Sequence, residues 1–207
     1  MARIADMKMV NTSFGTPIPA LHDMLGALDT SPLISYVLNS GYRIVYCNAA
    51  WDRFATQNHA PELMHSAIIG TDFRCALGDT LRPFYLQAID QVARTGAVWE
   101  WIYECSSPEL FRKFQMRVQP LQREGWLVTN ARLVERPHAD AVHTGPHDYV
   151  NQHGLITICS HCRRSRQTDR PAEWDFVPAH LDRTLTNISH GLCPLCLEYF
   201  YPKELEA

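Results

Sequence analysis

The sequence predicts an α+β chain in two parts: a sheet with flanking helices, then a small cysteine-stapled module. Three observations carry that expectation. Between Leu33 and Val134, β-rich and helical patterns come in the order strand, strand, small helices, longer helix, three strands. Residues 137–154 are rich in His, Asp, Pro and Gly and read as a linker. Beyond them, in residues 155–207, stand two Cys-x-x-Cys pairs, Cys159/Cys162 and Cys193/Cys196. With 207 residues, 46% of them hydrophobic and 20% charged, the chain has enough apolar mass for one medium core and one small one.

Residues 1–30 read as a loose arm ending in an amphipathic helix. Pro19 is placed to start that helix, and Leu21, Met24, Leu25 and Leu28 share one face. The face must pack on something, either the chain's own sheet or the same helix of a second subunit; the expectation is a homodimer through this stripe. Residues 31–136 form the main domain. Leu33 to Asn39 and Arg43 to Asn48 pair as a hairpin through Ser40-Gly41. Asn48 is the N-cap of a helix Ala49 to Gln57 that carries Trp51 and Phe54 on one side. Asp79 caps a longer helix, Thr80 to Arg94, with Leu81, Phe84, Tyr85, Ala88, Ile89 and Val92 as its apolar stripe and Gly96 closing it. Three strands follow: Ala97 to Ser106, Leu110 to Gln122 and Gly125 to Val134.

Alternation divides the first of these strands into Trp99, Trp101, Tyr103 and Cys105 on one face, and Val98, Glu100, Ile102 and Glu104 on the other. In the next strand Phe114, Met116 and Val118 oppose Lys113, Gln115 and Arg117. Trp99, Trp101, Tyr103, Cys105, Phe114 and Met116 are therefore the candidate lining of an interior that either holds a small ligand or is plain core.

Four closely paired cysteines suit a tetrahedral Zn²⁺ held by thiolates, each pair presenting two sulfurs from one tight knuckle. Thirty residues separate the pairs, about ten more than the usual spacer, and a short helix or hairpin can fill the excess. Disulfides need an oxidising compartment, and Met1 to Leu28 has neither the apolar run nor the cleavage site of a secretory signal, so a cytoplasmic location is expected. Arg163 and Leu197 stand where c-type haem attachment needs His. With four Cys present, His161 and His190 read as neighbours of the metal or surface groups. The linker histidines His138, His143, His147 and His153 read as a solvated spacer, because Gly145 and Pro146 stop a helix from aligning them.

The order of elements over Ser31 to roughly Glu135 resembles the PAS domain, a five-stranded antiparallel sheet flanked by small helices and widely used for sensing. The residues that carry this are Tyr46-Cys47-Asn48-Ala49-Ala50-Trp51, Ile69-Gly70-Thr71-Asp72-Phe73, the helix after Asp79 and the last three strands. The tail, with Ile158-Cys159-Ser160-His161-Cys162-Arg163-Arg164, Trp174 and Ser189-His190-Gly191-Leu192-Cys193-Pro194-Leu195-Cys196, is similar to the Cys-rich extension of some bacterial PAS sensory proteins. Flavin-binding members carry Asn-Cys-Arg-Phe-Leu-Gln, whereas this chain has Asp72-Phe73-Arg74-Cys75-Ala76-Leu77. Haem-binding members often place a His on the longer helix, and Thr80 to Arg94 has none. Neither haem nor flavin is indicated.

A net charge of −3 offers no general attraction to nucleic acid or anionic membrane, and no apolar run is long enough to cross a bilayer. There is no Gly-rich phosphate cradle, nucleophile elbow or kinase set, so no catalytic function is expected. The leading expectation is a sensory or regulatory protein that senses a small ligand or redox state and signals through the zinc module to a protein partner. The alternative is a nucleic-acid-binding regulator, resting on Arg163, Arg164, Arg166 and Arg170 beside the first knuckle, which Asp169, Glu173, Asp175 and Asp182 dilute.

Overall fold

The computed structural model describes residues 9–10, 21–121, 125–138, 148–181 and 185–202. They form two compact units. One comprises Ile4–Ile102 with Phe114–Arg132, the other chiefly Tyr103–Lys113 with Leu133–Ala207.

In the first unit, β1 (Met9–Val10) precedes helix α1 (Leu21–Thr30), the hairpin β2 (Ile34–Leu38) and β3 (Ile44–Cys47), and helix α2 (Ala49–Gln57). After a 3₁₀ turn at Pro61–Leu63 come α3 (His65–Ile68), α4 (Phe73–Ala76) and α5 (Arg82–Thr95), then the strands β4 (Val98–Glu104), β5 (Leu110–Leu121) and β6 (Gly125–Pro137). The sheet order is β1-β4-β5-β6-β2-β3. The expected five-stranded antiparallel sheet is thus present, with the first strand paired to the last from Ile34↔Asn130 to Leu38↔Trp126. One strand was not expected: Met9↔Trp99 and Val10↔Val98 add a two-residue edge to β4, inside what reads in the sequence as a loose arm.

Alternation fixes the sheet's buried face. Trp99, Phe114, Met116 and Val118 are buried while Lys113 and Arg117 are exposed, because side chains on a pleated strand point to opposite faces at each step. Glu100 lies on the other face, where Gln115 donates to its carboxylate at 3.3 Å. Phe84, Tyr85, Ala88, Ile89 and Val92 of α5 are all buried, and Gly96 ends that helix in the left-handed conformation. Asp79, however, is not its cap. Pro83 fits only in a first turn, so the helix begins at Arg82 and Asp79 instead pairs with Arg82 at 3.0 Å. Ser40-Gly41 sits in the turn of the expected hairpin, a longer one in which Tyr42 takes the positive φ and Asn39 Oδ1 accepts from the Gly41 and Arg43 amides.

Asn48 caps α2 and does more. Its side-chain oxygen accepts from the Ser35 and Trp51 amides, both at 3.1 Å. Its amide nitrogen donates to the Leu28 and Leu33 carbonyls at 2.9 and 2.8 Å. One side chain, 1% exposed, thereby ties the end of α1, the start of β2 and the first turn of α2. On α1, Met24, Leu25 and Leu28 pack against Val37, Leu121 and Leu127 of the chain's own sheet. These three side chains therefore serve the intrachain contact rather than the expected subunit contact, since the apolar face of β2 and β6 would otherwise be uncovered. The Leu21 side chain lies outside the described residues.

In the second unit, β7 (Ile156–Cys159), β8 (Ser165–Arg166), β9 (Trp174–Asp175) and β10 (Ile188–Gly191) form a sheet of order β10-β7-β8-β9, in which β10 runs parallel to β7. A 3₁₀ turn at Pro178–Leu181 and helix α6 (Pro194–Phe200) complete it. Tyr149, Ile156, Ile158 and Val177 are its small core. His138, expected to be solvated, stacks on Phe176 with ring centroids 3.7 Å apart and donates from Nε2 to the Ser107 carbonyl, 3.0 Å away. His143 and His147 lie outside the described residues, and His153 is exposed.

Two substitutions test this account. Gly125 has φ +121°, and a Cβ there would stand 1.9 Å from the Leu38 carbonyl oxygen. Gly125→Ala is expected to cost roughly 3 kcal/mol in urea unfolding, from strain and overlap together. Asn48→Ala should cost about 3 kcal/mol, because four hydrogen bonds and a helix cap are lost together at a buried position. Asn48→Asp separates hub from cap: Asp caps helices as well as Asn does, yet its second oxygen would face two carbonyl oxygens. An Asp variant as stable as the parent would reduce Asn48 to an ordinary cap.

Candidate metal centre

Parallel pairing positions the four cysteines. Gly191 of β10 stands opposite Cys159 of β7, and the Ser160 amide donates to the Gly191 carbonyl at 2.9 Å, so the second pair emerges beside the first. The first pair sits in a tight turn: the Cys159 amide donates to the Arg164 carbonyl at 2.8 Å and the Arg163 amide to the Cys159 carbonyl at 3.0 Å. Arg163 takes φ +63° to close it. Cys193 is the N-cap of α6, its sulfur accepting from the Cys196 amide at 3.4 Å, with Pro194 in the first turn where a missing N–H costs nothing. The Cys193 amide in turn donates to the Cys159 sulfur at 3.4 Å.

The four sulfurs lie within 4.8 Å of one another and all four residues are buried. None is in a disulfide. Cys162 and Cys193 have sulfurs 3.6 Å apart, which fits a tetrahedral edge of about 3.8 Å for metal–sulfur bonds near 2.3 Å. Packed this closely, the sulfurs drive one another's proton affinities apart. Hydrogen bonds from Cys162, Cys193 and Cys196 pull the Cys159 thiol far below its ordinary range, and the same close sulfurs push Cys162 and Cys196 up. Such a cluster carries four negative charges only with a cation at its centre; four soft ligands could hold one metal ion, with no ligand position left for substrate.

His161 does not join them. Its ring stacks on Phe200 at 3.6 Å and its Nε2 meets the Tyr201 hydroxyl at 3.2 Å. Burial pulls its pKa down to about 4, so it is neutral at ordinary pH. His190 is exposed. A polar group that sequence reasoning did not single out lies nearby in the fold: Ser165 and His180, both buried, share a hydrogen bond of 2.8 Å, and His180 meets the Tyr149 ring edge-on. No spacing signal marks that pair, since its members stand fifteen positions apart with β9 between them.

The candidate lining residues are distributed unevenly. Trp99 is buried and Trp101 half-buried, stacked with centroids 6.1 Å apart and packed on Phe84. Aromatic rings fill that part of the interior. Phe114 and Met116 are buried; Tyr103 and Cys105 are half-buried and belong to the other unit. A cavity of about 410 Å³ does open in the first unit, between α2 and the strands β2, β5 and β6, with Phe54, Arg53, Asn130 and Arg132 among its walls. Of the six candidates only Phe114 lines it. Among the described residues, no helix is long and apolar enough to cross a membrane.

No known family profile matches the sequence, and no curated protein does. Solved structures do. The PAS domain of a protein from Colwellia psychrerythraea is 13% identical with a TM-score of 0.42, over 55% of this chain and 96% of that one. The PAS domain of nitrogen regulation protein NR(II) from Vibrio parahaemolyticus is 16% identical with a TM-score of 0.32, over 56% and 97%. The VqmA dimer of Vibrio cholerae, a DNA-binding receptor of LuxR type, is 12% identical with a TM-score of 0.39, over 61% and 59%. By its own strand order and the helices set between β3 and β4, the chain has a PAS-like α+β fold, joined in sequence to a small unit built around four cysteines.

Proposed function

We propose that this chain is a sensory or regulatory protein without catalysis of its own, in which a PAS-like unit receives a small ligand and a zinc-stapled unit presents a surface to a protein partner. The observation that carries the reading is the four buried sulfurs in a unit whose strands are two to four residues long. So small a core needs a staple, and a closed four-thiolate site supplies structure rather than chemistry. The cavity beside Phe114 lies within the range of small-molecule sites, roughly 300 to 1,000 Å³. The proposed assembly is a homodimer, built without Met24, Leu25 and Leu28, and the proposed compartment is the cytoplasm, where thiols stay reduced.

The nucleic-acid reading draws less support. Of the four arginines behind it, Arg164 faces Glu104, Arg166 donates to the Pro171 carbonyl at 3.0 Å and Arg170 pairs with Glu173 at 2.9 Å. Three of the four thus have a partner within the unit, while Arg163, Arg166 and Arg170 are exposed.

Elemental analysis of the purified protein should give about one zinc per chain and a solution without visible absorbance. Iron in the same sulfurs would colour it and overturn the choice of metal. Cys159→Ser should lose the metal and leave residues 155–202 open to protease while the α5 and β4–β6 region stays protected; full metal content in that variant would sink the site. Retention on immobilised DNA that falls steeply between 50 and 200 mM salt would favour the alternative reading. Light scattering should report a dimer at tens of micromolar, and a monomer there would remove the proposed assembly.

A further inference from the structure

Helix α2 gives one face to the cavity of the first unit. Ala50, Arg53, Phe54 and Gln57 recur at steps of three, one and three residues, which puts them on a single stripe, and all four line the space. The facing wall is strand: Ile34 of β2, Phe114 of β5 and Asn130 to Arg132 of β6. Every lining residue belongs to the first unit. Burial sorts them by chemistry. Ala50 and Phe114 are 5% and 1% exposed, and the Phe54 ring meets the Phe114 ring edge-to-face with centroids 5.6 Å apart. Asn130, also buried, donates its side-chain amide to the Ile34 carbonyl at 3.3 Å. Arg53, Gln57 and Arg132, by contrast, are exposed. The cavity therefore has a mainly apolar floor and a polar rim.

The charge on that rim has one sign. Two guanidinium groups and no carboxylate line the cavity, and Asp52, next to Arg53 in sequence, accepts instead from the His65 amide at 2.8 Å. Among the described residues, the Arg53 side chain makes neither a hydrogen bond nor an ion pair. A guanidinium with its donors unspent matches a carboxylate through two parallel hydrogen bonds, while an apolar floor favours a ligand body that leaves water. A cation would meet like charge at the rim, and a bare anion would gain nothing from the floor. We propose that the cavity takes a small organic acid, a ring or branched apolar body carrying one carboxylate, with the body against Phe54 and Phe114 and the carboxylate at Arg53 and Arg132. The inference rests on the reading that this unit receives a small ligand, and it adds the charge and shape of that ligand. A volume of about 410 Å³ is ample for a two-ring acid.

The probe is naphthylacetate, titrated calorimetrically into the full chain at neutral pH. Naphthylacetamide is its uncharged isostere, naphthylethylamine carries the opposite charge, and acetate is the head group alone. Naphthylacetate should bind about tenfold more tightly than the amide, the lower end of what a charge-assisted hydrogen bond contributes, because the rim is hydrated. Acetate and the amine should give no saturable heat. Arg53→Gln should weaken naphthylacetate about fivefold and leave the amide unchanged, and Arg53→Lys should fall between, since it keeps the charge without the planar fork. Raising salt from about 50 to about 500 mM should narrow the gap between acid and amide. Backbone amide shifts on adding naphthylacetate should cluster at Ala50, Phe114 and Ala131. Equal affinity for acid and amide, with shifts at those residues, overturns the choice of an acid and leaves the small-ligand reading standing. So does parental affinity for the acid in both Arg53→Gln and Arg132→Gln, or an amine that binds as tightly as the acid. Should Arg53→Gln fail to fold, equal salt dependence of acid and amide overturns the inference. Shifts confined to other residues place the acid elsewhere and overturn it as well. Saturable binding by none of the probes defeats the small-ligand reading and this inference with it.

Discussion

Four sulfurs brought within 4.8 Å of one another are the constraint on which the C-terminal unit depends. Its two shortest strands have two residues each, and its core cluster among the described residues is Tyr149, Ile156, Ile158 and Val177. Nothing in that inventory approaches the apolar burial needed to offset the conformational entropy of an ordered chain. Like charges do not gather in a dry place without a counter-charge, so an ion among the sulfurs converts the unit's least favourable cluster into its strongest tie. The parallel pairing of β7 and β10 follows from the same demand: it brings Gly191 opposite Cys159 and so places the two pairs together.

The sheet unit solves a comparable problem with a neutral group. Asn48 meets two amides and two carbonyls from three segments that are distant in sequence, which is the full capacity of its acceptor and donor ends in this setting. Three of those backbone groups have a second partner, the Leu28 carbonyl in the Ser31 amide, the Leu33 carbonyl in the Ser35 hydroxyl and the Trp51 amide in the Asn48 carbonyl, so the side chain adds a second bond to each, worth about 1 kcal/mol apiece. Because the bonds run to α1, β2 and α2 at once, the residue specifies how the helices enter and leave the sheet. Met24, Leu25 and Leu28 then cover Val37, Leu121 and Leu127 as a consequence.

Features encoded by local chemistry were legible in the sequence. Asn48 before a helix, Gly96 after one, the alternation through Phe114 and Met116, and the spacing of the cysteines each carry their physical reason within a few residues. What was not legible depends on distant partners. Met9–Val10 becomes a strand because β4 offers an edge, and Ile188–Gly191 because β7 does, while neither segment has a β pattern of its own. The start of α5 was misread because Asp79 looks like a cap until the restriction imposed by Pro83 is taken into account. The candidate lining follows from alternation, which marks the inner face: Trp99 and Trp101 stack there, and Phe114 borders the cavity beside α2.

Charge shows the same limit more sharply. In the sequence, Arg163, Arg164, Arg166 and Arg170 form a basic run, and a run invites a polyanion as its partner. In the fold, three of them find acceptors in the chain: Arg164 a carboxylate ending β4, Arg166 a proline carbonyl, and Arg170 a glutamate three residues on. An arginine paired with a carboxylate, its side chain 30% exposed, has lost part of the freedom and hydration that phosphate contact would exploit. Its charge is therefore better accounted for within the unit than as part of a binding face. Long-range electrostatic attraction is what a sequence can count; whether a given charge is available to a partner is decided by what lies within hydrogen-bond reach.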